Sequence, residues 1–126
     1  MIGQDNVRDT TKIDILNPDS GQFTLIFKNP KDGSTWTSGR ISANFGSWDF
    51  NRAISGYYGS VWGSGIQVVR TMYDVNDQVT TSSSLAKKFS YNVTMTRSIS
   101  GPSVTSIGIS MISTASTISI TLPQNL

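Results

Sequence analysis

The sequence predicts a mostly β protein, an antiparallel β-sandwich of about seven short strands with one short helix. Apolar and polar residues alternate in most segments, turn-forming Gly, Pro, Asn and Asp recur between those segments, and a single segment has helical spacing. A chain of 126 residues has the size of one ordinary domain. We expect residues 1–10, which are polar and aperiodic, to form a flexible N-terminal linker, and residues 11–126 to form the single sandwich domain.

The first strands are predicted by alternation that stops at turn residues. Ile13 and Ile15 alternate with polar neighbours before an Asn-Pro-Asp-Ser-Gly turn. Phe23, Leu25 and Phe27 then share one face of a second strand. Residues 29–33 reverse the chain, and the return arm over residues 34–45 is expected to bulge at its glycine.

Residues 47–58 carry the helical spacing. Apolar side chains fall at i, i+3, i+4 and i+7, and they are Phe50, Ala53, Ile54 and Tyr57. Ser47 is a suitable N-cap, and Gly59 is a suitable residue just past the end. This predicts a helix over residues 47–58 that lays one apolar stripe on a sheet.

The second half of the chain reads as strands again. Residues 66–73 form one predicted strand, and residues 89–95 have the cleanest two-residue period of the chain. Residues 107–111 and 118–122 form two closing strands, of which 118–122 is the expected unpaired edge. Strands at this spacing indicate a sandwich of the immunoglobulin-like or a related type.

The composition favours an extracellular setting. Charged residues make up 14% of the chain, whereas there are 20 Ser and 14 Thr, so hydroxyl groups must cover much of the surface. This is typical of extracellular, cell-wall or virion proteins. We therefore expect an extracellular or cell-surface protein, with any signal peptide outside this sequence.

Charge and chemistry exclude several classes of function. The net charge of +2 is thinly scattered, which argues against a nucleic-acid partner, and no apolar run is long enough for membrane insertion. The chain has no Cys, His or Glu. Zinc sites and Cys-based or His-based catalysis are thus excluded, and a pair of acids would have to be two Asp. We expect no enzyme activity and no cofactor.

Two motifs predict modification or metal binding. Asn92 begins an Asn-Val-Thr sequon and lies on the polar face of its strand, which predicts N-glycosylation in a eukaryotic secretory setting. Asp74, Asn76 and Asp77 offer oxygen ligands for Ca²⁺. Asn and Asp also stabilise turns, so a simple turn explains the same three residues.

Aromatic residues suggest a binding surface. Trp62, Trp36 and Tyr58 are candidates for a platform that stacks on a glycan or contacts a neighbouring module. Burial in the core is the competing interpretation, because tryptophan buries a large area. Trp48 is expected to cover the start of the helix.

Four blocks between residues 20 and 73 resemble a family. They read SGQFTLIF from residue 20, ISAN from residue 41, DFxxAI from residue 49 and GIQV from residue 65. This order resembles a repeat of very large extracellular proteins such as fibrocystin and its relatives, with a GxFTLxF strand, an IxxN(A)S turn, a DVQxAL helix and a GxVxV strand. The resemblance implies an extracellular β-rich module in a tandem array, with no catalytic residues.

Three functions remain open from the sequence. The first is a non-catalytic structural or adhesive module of a cell-surface protein or filament, which contacts identical or similar modules. The second is a carbohydrate-binding module that uses exposed Trp and Tyr. The third is a viral coat or pilus subunit.

Overall fold

The computed structural model describes residues 6–28, 33–61, 66–98 and 106–122. Within these ranges it contains nine strands and one helix. In chain order they are β1 (Asn6–Leu16), β2 (Gln22–Lys28), β3 (Thr35–Thr37), β4 (Ile41–Ser42), α1 (Ser47–Val61), β5 (Ile66–Tyr73), β6 (Val79–Thr80), β7 (Lys88–Ser98), β8 (Ile107–Met111) and β9 (Thr117–Thr121). The strands form two antiparallel sheets around one apolar core, which confirms the predicted mostly β sandwich.

The larger sheet, sheet A, has the strand order β6-β5-β7-β1-β9. The β1–β7 ladder runs from Asn6 opposite Ser98 to Leu16 opposite Lys88. Residues 6–10 belong to β1, so their assignment to a linker was wrong; residues 1–5 lie outside the described part. The segment reads as polar because Asp9 and Thr11 face inward and are buried beside the apolar residues of the same face.

The smaller sheet, sheet B, is built around β2. Strand β8 pairs with one side of β2, while β3 and β4 follow one another along the other side. The return arm is broken between them at residues 38–40, in agreement with the predicted bulge. The Ser38 hydroxyl bridges this break, because it accepts a hydrogen bond from the Leu25 N–H (3.0 Å), while the Ser38 N–H donates to the Leu25 carbonyl (2.8 Å).

The core lies between the two sheets and the helix. Its buried members alternate along the strands, as two-residue spacing requires. They are Ile13, Ile15, Phe23, Leu25, Phe27, Ile41, Ala43, Phe50, Ile54, Val68, Phe89, Tyr91 and Val93. Each fully buried large side chain stabilises the fold by about 1.5 to 3 kcal/mol relative to exposure, so this set is the main favourable contribution.

Helix α1 begins at Ser47 as predicted but continues through Gly59 to Val61. Glycine permits the left-handed turn that ends a helix without imposing it. Ser47 does not act as the predicted N-cap: its hydroxyl accepts a hydrogen bond from the Arg70 N–H of β5 (3.0 Å). The helix start is therefore tied to a neighbouring strand.

Arg70 and Tyr91 hold the start of α1 on sheet A. The Arg70 guanidinium donates from Nη1 to the carbonyls of Phe45 (3.0 Å) and Asn44 (3.4 Å). The Tyr91 hydroxyl donates to the same Phe45 carbonyl (2.5 Å), and the Tyr91 ring stacks on Phe50 with 4.3 Å between centroids. The carbonyls of Asn44 and Phe45 thus accept three hydrogen bonds from side chains of β5 and β7.

Replacement of Ile54 by alanine tests the packing of the helix. Ile54 is 0% exposed, so Ile54→Ala should lower the free energy of unfolding by about 2 to 5 kcal/mol through lost burial and a cavity. Val75→Ala is the matched control, because Val75 is 75% exposed in a turn and should cost less than about 0.5 kcal/mol. Equal chemical denaturation curves for the two variants would contradict this packing.

Burial of Tyr91 makes stability depend on pH in the alkaline range. Burial raises the pKa of Tyr91 to about 12, against the opposing effect of Arg70. The unfolded chain therefore ionises first, so this contribution is complete below about pH 10 and is lost as the pH rises towards 12. The difference in unfolding free energy between wild type and Tyr91→Phe should shrink by roughly 2 to 3 kcal/mol over this range. A difference that stays constant from pH 8 to 11.5 would contradict the burial.

Candidate functional site

The predicted aromatic platform is not assembled by the residues that can be placed. Trp36 lies on β3, is half-buried, and packs with its ring centroid 6.1 Å from that of Phe27. Trp62 lies outside the described residues. Tyr58 belongs to α1, but its side chain also lies outside the described part. Trp36 therefore packs against the core, as the competing interpretation of these aromatic residues predicts.

Trp48 is the tryptophan that the structure places in solvent. It is 69% exposed in the first turn of α1, so the expectation that it covers the helix start was wrong. In the helical spacing, residue 48 does not share the face of Phe50 and Ile54. The sequence therefore already indicated that Trp48 faces away from the core. The Arg52 guanidinium lies 5.4 Å from its ring centroid. A shallow groove of about 290 Å³ lies nearby, lined by Gly39, Arg40, Phe45, Asp49, Arg52 and Ala53.

Asn92 lies on the outer face of sheet A, in the central strand β7. Its cross-strand neighbours are Lys12 of β1 and Val69 of β5, and its side chain is half-buried among them. A glycan attached here would extend over the outer face, away from the core. Its presence remains a prediction.

Asp74, Asn76 and Asp77 form the turn between β5 and β6. Asp74 Oδ1 accepts hydrogen bonds from the N–H groups of Asn76 (2.9 Å) and Gln78 (3.0 Å). Asp77 has a positive φ of 62°, and its Oδ1 lies 3.5 Å from Lys88 Nζ. Among the described residues no three acidic side chains converge on a point where a metal ion could bind. The turn interpretation accounts for all three residues.

An open groove of about 400 Å³ lies at this end of sheet A. It is lined by Leu16, Asn17, Asp74, Val75, Asp77, Lys87 and Lys88. Lys88 is engaged twice, with Asp77 and with the face of Tyr73, 4.6 Å from the ring centroid. No Ser, Thr or Tyr is among the residues that line this groove.

The two flanks of the sandwich differ. Helix α1 packs against β5 of sheet A and β4 of sheet B, and so closes one flank. On the opposite flank, β9 has β1 as its strand partner and β8 has β2, with no further strand beyond either in the described ranges. This confirms the edge predicted at residues 118–122. The flank is lined by half-buried Ile107, Ile109, Ile118, Ile120 and Leu122.

Within the described residues, the strands of the two open edges lack charged side chains and proline, two features that usually prevent edge strands from pairing with other chains. Strands β8 and β9 contain only Ile, Gly, Ser, Met and Thr, so they have no charged residue and no proline. At the corner between them, Met111 and Ile112 are 47% and 48% exposed. The open flank therefore combines unpaired backbone groups with partly exposed apolar side chains.

Asp19 fixes the corner that joins these edges. Its Oδ1 accepts hydrogen bonds from the Thr114 hydroxyl (2.6 Å) and the Gly21 N–H (2.9 Å), and its Oδ2 accepts one from the Ala115 N–H (2.9 Å). These bonds, that from Thr114 first, lower the pKa of Asp19. A Cβ atom on Gly21 would lie 2.3 Å from Thr114 Cα, so only glycine allows the two loops to touch.

Acid should weaken this corner in a way that depends on Asp19. Because the pKa of Asp19 is lowered in the folded state, its contribution to stability is present above the ordinary aspartate value and is lost as the pH falls through the lowered one. Asp19→Asn should be less stable than wild type at pH 7, and the two should converge as the pH falls towards 2. Thermal denaturation at several pH values measures this. A constant difference in melting temperature would contradict it.

Comparison with protein families, characterised proteins and solved structures finds no match to this chain. Within the described residues, no helix has the length and apolar character needed to cross a bilayer. The function of the chain must therefore be inferred from its own surfaces.

Proposed function

We propose that this chain is a non-catalytic structural module of an extracellular or cell-surface protein or filament, which acts through contacts with identical or similar modules. The observation that carries the proposal is the open flank, where the uncharged strands β8 and β9 form the edges of the two sheets within the described residues. Edge strands with free N–H and C=O groups recruit further strands by backbone hydrogen bonding.

The half-buried side chains support the same proposal. Ile118 and Ile120 alternate with exposed Ser and Thr along β9, and Ile107 and Ile109 alternate with exposed Gly108 and Ser110 along β8. An additional strand would remove these isoleucines from water, at about 25 cal/mol per Å² of apolar surface. Backbone pairing and apolar burial thus favour the same partner geometry.

Composition and family resemblance support the cellular setting. A surface rich in Ser and Thr and poor in charge is typical of extracellular and virion proteins. The resemblance to the repeats of fibrocystin-like proteins, between residues 20 and 73, favours a module that contacts its neighbours in an array. A viral coat or pilus subunit would use the same open flank, with a different assembly as its product.

A carbohydrate-binding module is the second candidate, and Trp48 is the observation that favours it. Its ring is exposed, and the groove nearby carries Arg40, Asp49 and Arg52, which can form hydrogen bonds with sugar hydroxyls. If this function holds, Trp48→Ala should abolish binding on a glycan array. An array on which wild type binds no glycan would remove this candidate.

Sedimentation velocity over a range of protein concentrations tests the assembly proposal. Wild type should form oligomers as its concentration rises, whereas a Ser110→Lys and Ser119→Lys double variant should remain monomeric, because charge on an edge opposes strand addition. Both serines are exposed, so the fold should persist.

A Val75→Lys and Gln78→Lys double variant adds the same two charges at an exposed turn and is the control, which should associate like wild type. A wild type that stays monomeric at all concentrations, or a Ser110→Lys and Ser119→Lys variant that associates equally well, would contradict the proposal.

A further inference from the structure

We infer that β9 pairs antiparallel with β9 of a second copy of this chain, across a two-fold axis at Ser119. This inference rests on the proposed function, and it names the partner strand, its direction and its register. The resulting contact joins two copies of sheet A into one continuous sheet of ten strands.

The sequence of β9 is the same in both directions. It reads Thr-Ile-Ser-Ile-Thr from residue 117 to residue 121. In an antiparallel pair centred on Ser119, each Ile118 lies opposite Ile120 of the second copy, and each Thr117 lies opposite Thr121. Ser119 of one copy lies opposite Ser119 of the other. Every residue therefore meets one of its own kind, as the self-complementary patch of a two-fold dimer requires.

The register of β9 within sheet A places its isoleucines where a second copy would cover them. Ile118 and Ile120 lie opposite Ile15 and Ile13 of β1, which are 0% and 1% exposed. The β9 isoleucines point to the same inner face but are only half-buried, because no described strand lies beyond them. The paired isoleucines of a second copy would lie on this face and complete their burial.

Backbone geometry permits the contact whichever groups of β9 point outward. The axis of a symmetric antiparallel pair can pass through a hydrogen-bonded or a non-hydrogen-bonded residue pair, and opposed Cα atoms are then about 5.5 or 4.5 Å apart. Ser119 can take either position. The register is thus set by the match of side chains.

Strand β8 is less suited to pairing with itself. Its sequence is not the same in both directions, and Gly108 offers no side chain to a cross-strand partner. A pair centred on Ile109 would place Gly108 opposite Ser110, and Ile107 opposite the more exposed Met111. The open flank therefore favours β9 as the self-pairing edge.

The contact is small. Five residues of strand span only about 17 Å, so the buried area falls in the class of weak, exchanging interfaces below roughly 1,200 Å². Modules held in an array would pair more fully, because a local concentration in the millimolar range replaces free diffusion. Reversible dimerisation is the behaviour expected of the isolated chain.

Single cysteines test the axis, since the chain has no cysteine of its own. Opposed Cα atoms in the inferred pair lie within the range that a disulfide bridges. With a mild oxidant, Ser119→Cys should form covalent dimers roughly tenfold or more faster than Gln78→Cys, because pairing raises the local thiol concentration. Both positions are exposed, and the products are read on non-reducing gels and by mass spectrometry.

The inferred register of the β9 pair predicts a second cross-linking result. A mixture of Thr117→Cys and Thr121→Cys should form the mixed disulfide, while each variant alone should form far less homodimer than Ser119→Cys. Circular dichroism before oxidation checks that each variant retains its sheets. Homodimers of all three variants at equal rates would overturn the inferred register.

Two outcomes separate this inference from the proposed function. If wild type associates in sedimentation but Ser119→Cys cross-links no faster than Gln78→Cys, the β9 pairing is wrong and the assembly proposal stands. A preferred mixed disulfide between Ser110→Cys and Ser119→Cys would also overturn it, in favour of head-to-tail contact between β8 and β9. If wild type does not associate and Ser119→Cys cross-links no faster than Gln78→Cys, both fail.

Discussion

The hydrogen bonds that Arg70 and Tyr91 donate to the carbonyls before α1 are the constraint on which the rest of the structure depends. Arg70 is a half-buried cation next to the core, where it is stabilised by two carbonyl oxygens and by the face of Phe89, 4.6 Å from the ring centroid. Charged groups at such positions are tolerated when they are hydrogen-bonded. Because these bonds attach the start of α1 to sheet A, the buried side chains of Phe50 and Ile54 stay in the core.

This attachment explains why the two flanks differ. A sandwich of two sheets exposes apolar side chains along both of its open sides unless something covers them. Helix α1 covers the β4–β5 side and leaves the side between β8 and β9 with half-buried isoleucines. At that side, the Asp19 carboxylate and the close approach of Gly21 to Thr114 hold the corner in place. The open edges are therefore presented by an ordered corner.

Local patterns predicted the longer strands, the buried faces and the edge at residues 118–122, because alternation reports directly which side chains face the core. They did not predict the two-residue strand β6 or the division of the return arm into β3 and β4. The same patterns identified Phe50 and Ile54 as the helical stripe. They did not predict that residues 6–10 form strand, since the inward face there carries Asp9 and Thr11, and the ladder with β7 supplies the pairing.

Contacts between residues that are far apart in the chain also could not be predicted from the sequence. Asp19 and Thr114 are separated by 95 positions, and Ser47 meets Arg70 across 23. Local spacing has no information about which turns will meet. The missed exposure of Trp48 is different, because its place off the apolar stripe was readable in the helical period.

The position of β1 has a consequence for the order in which the protein is made and folds. The first strand of the chain lies inside sheet A, and both of its neighbours, β7 and β9, come from the last third of the sequence. On the ribosome, this strand has no partner until β7 has been synthesised, through residue 98, and it lacks its second neighbour until residue 121 has been added. Strand pairs whose members are far apart in the sequence form slowly during folding. The nascent chain therefore passes through a period in which the apolar faces of β1 and β2 have no cover, and in which chaperones are most needed.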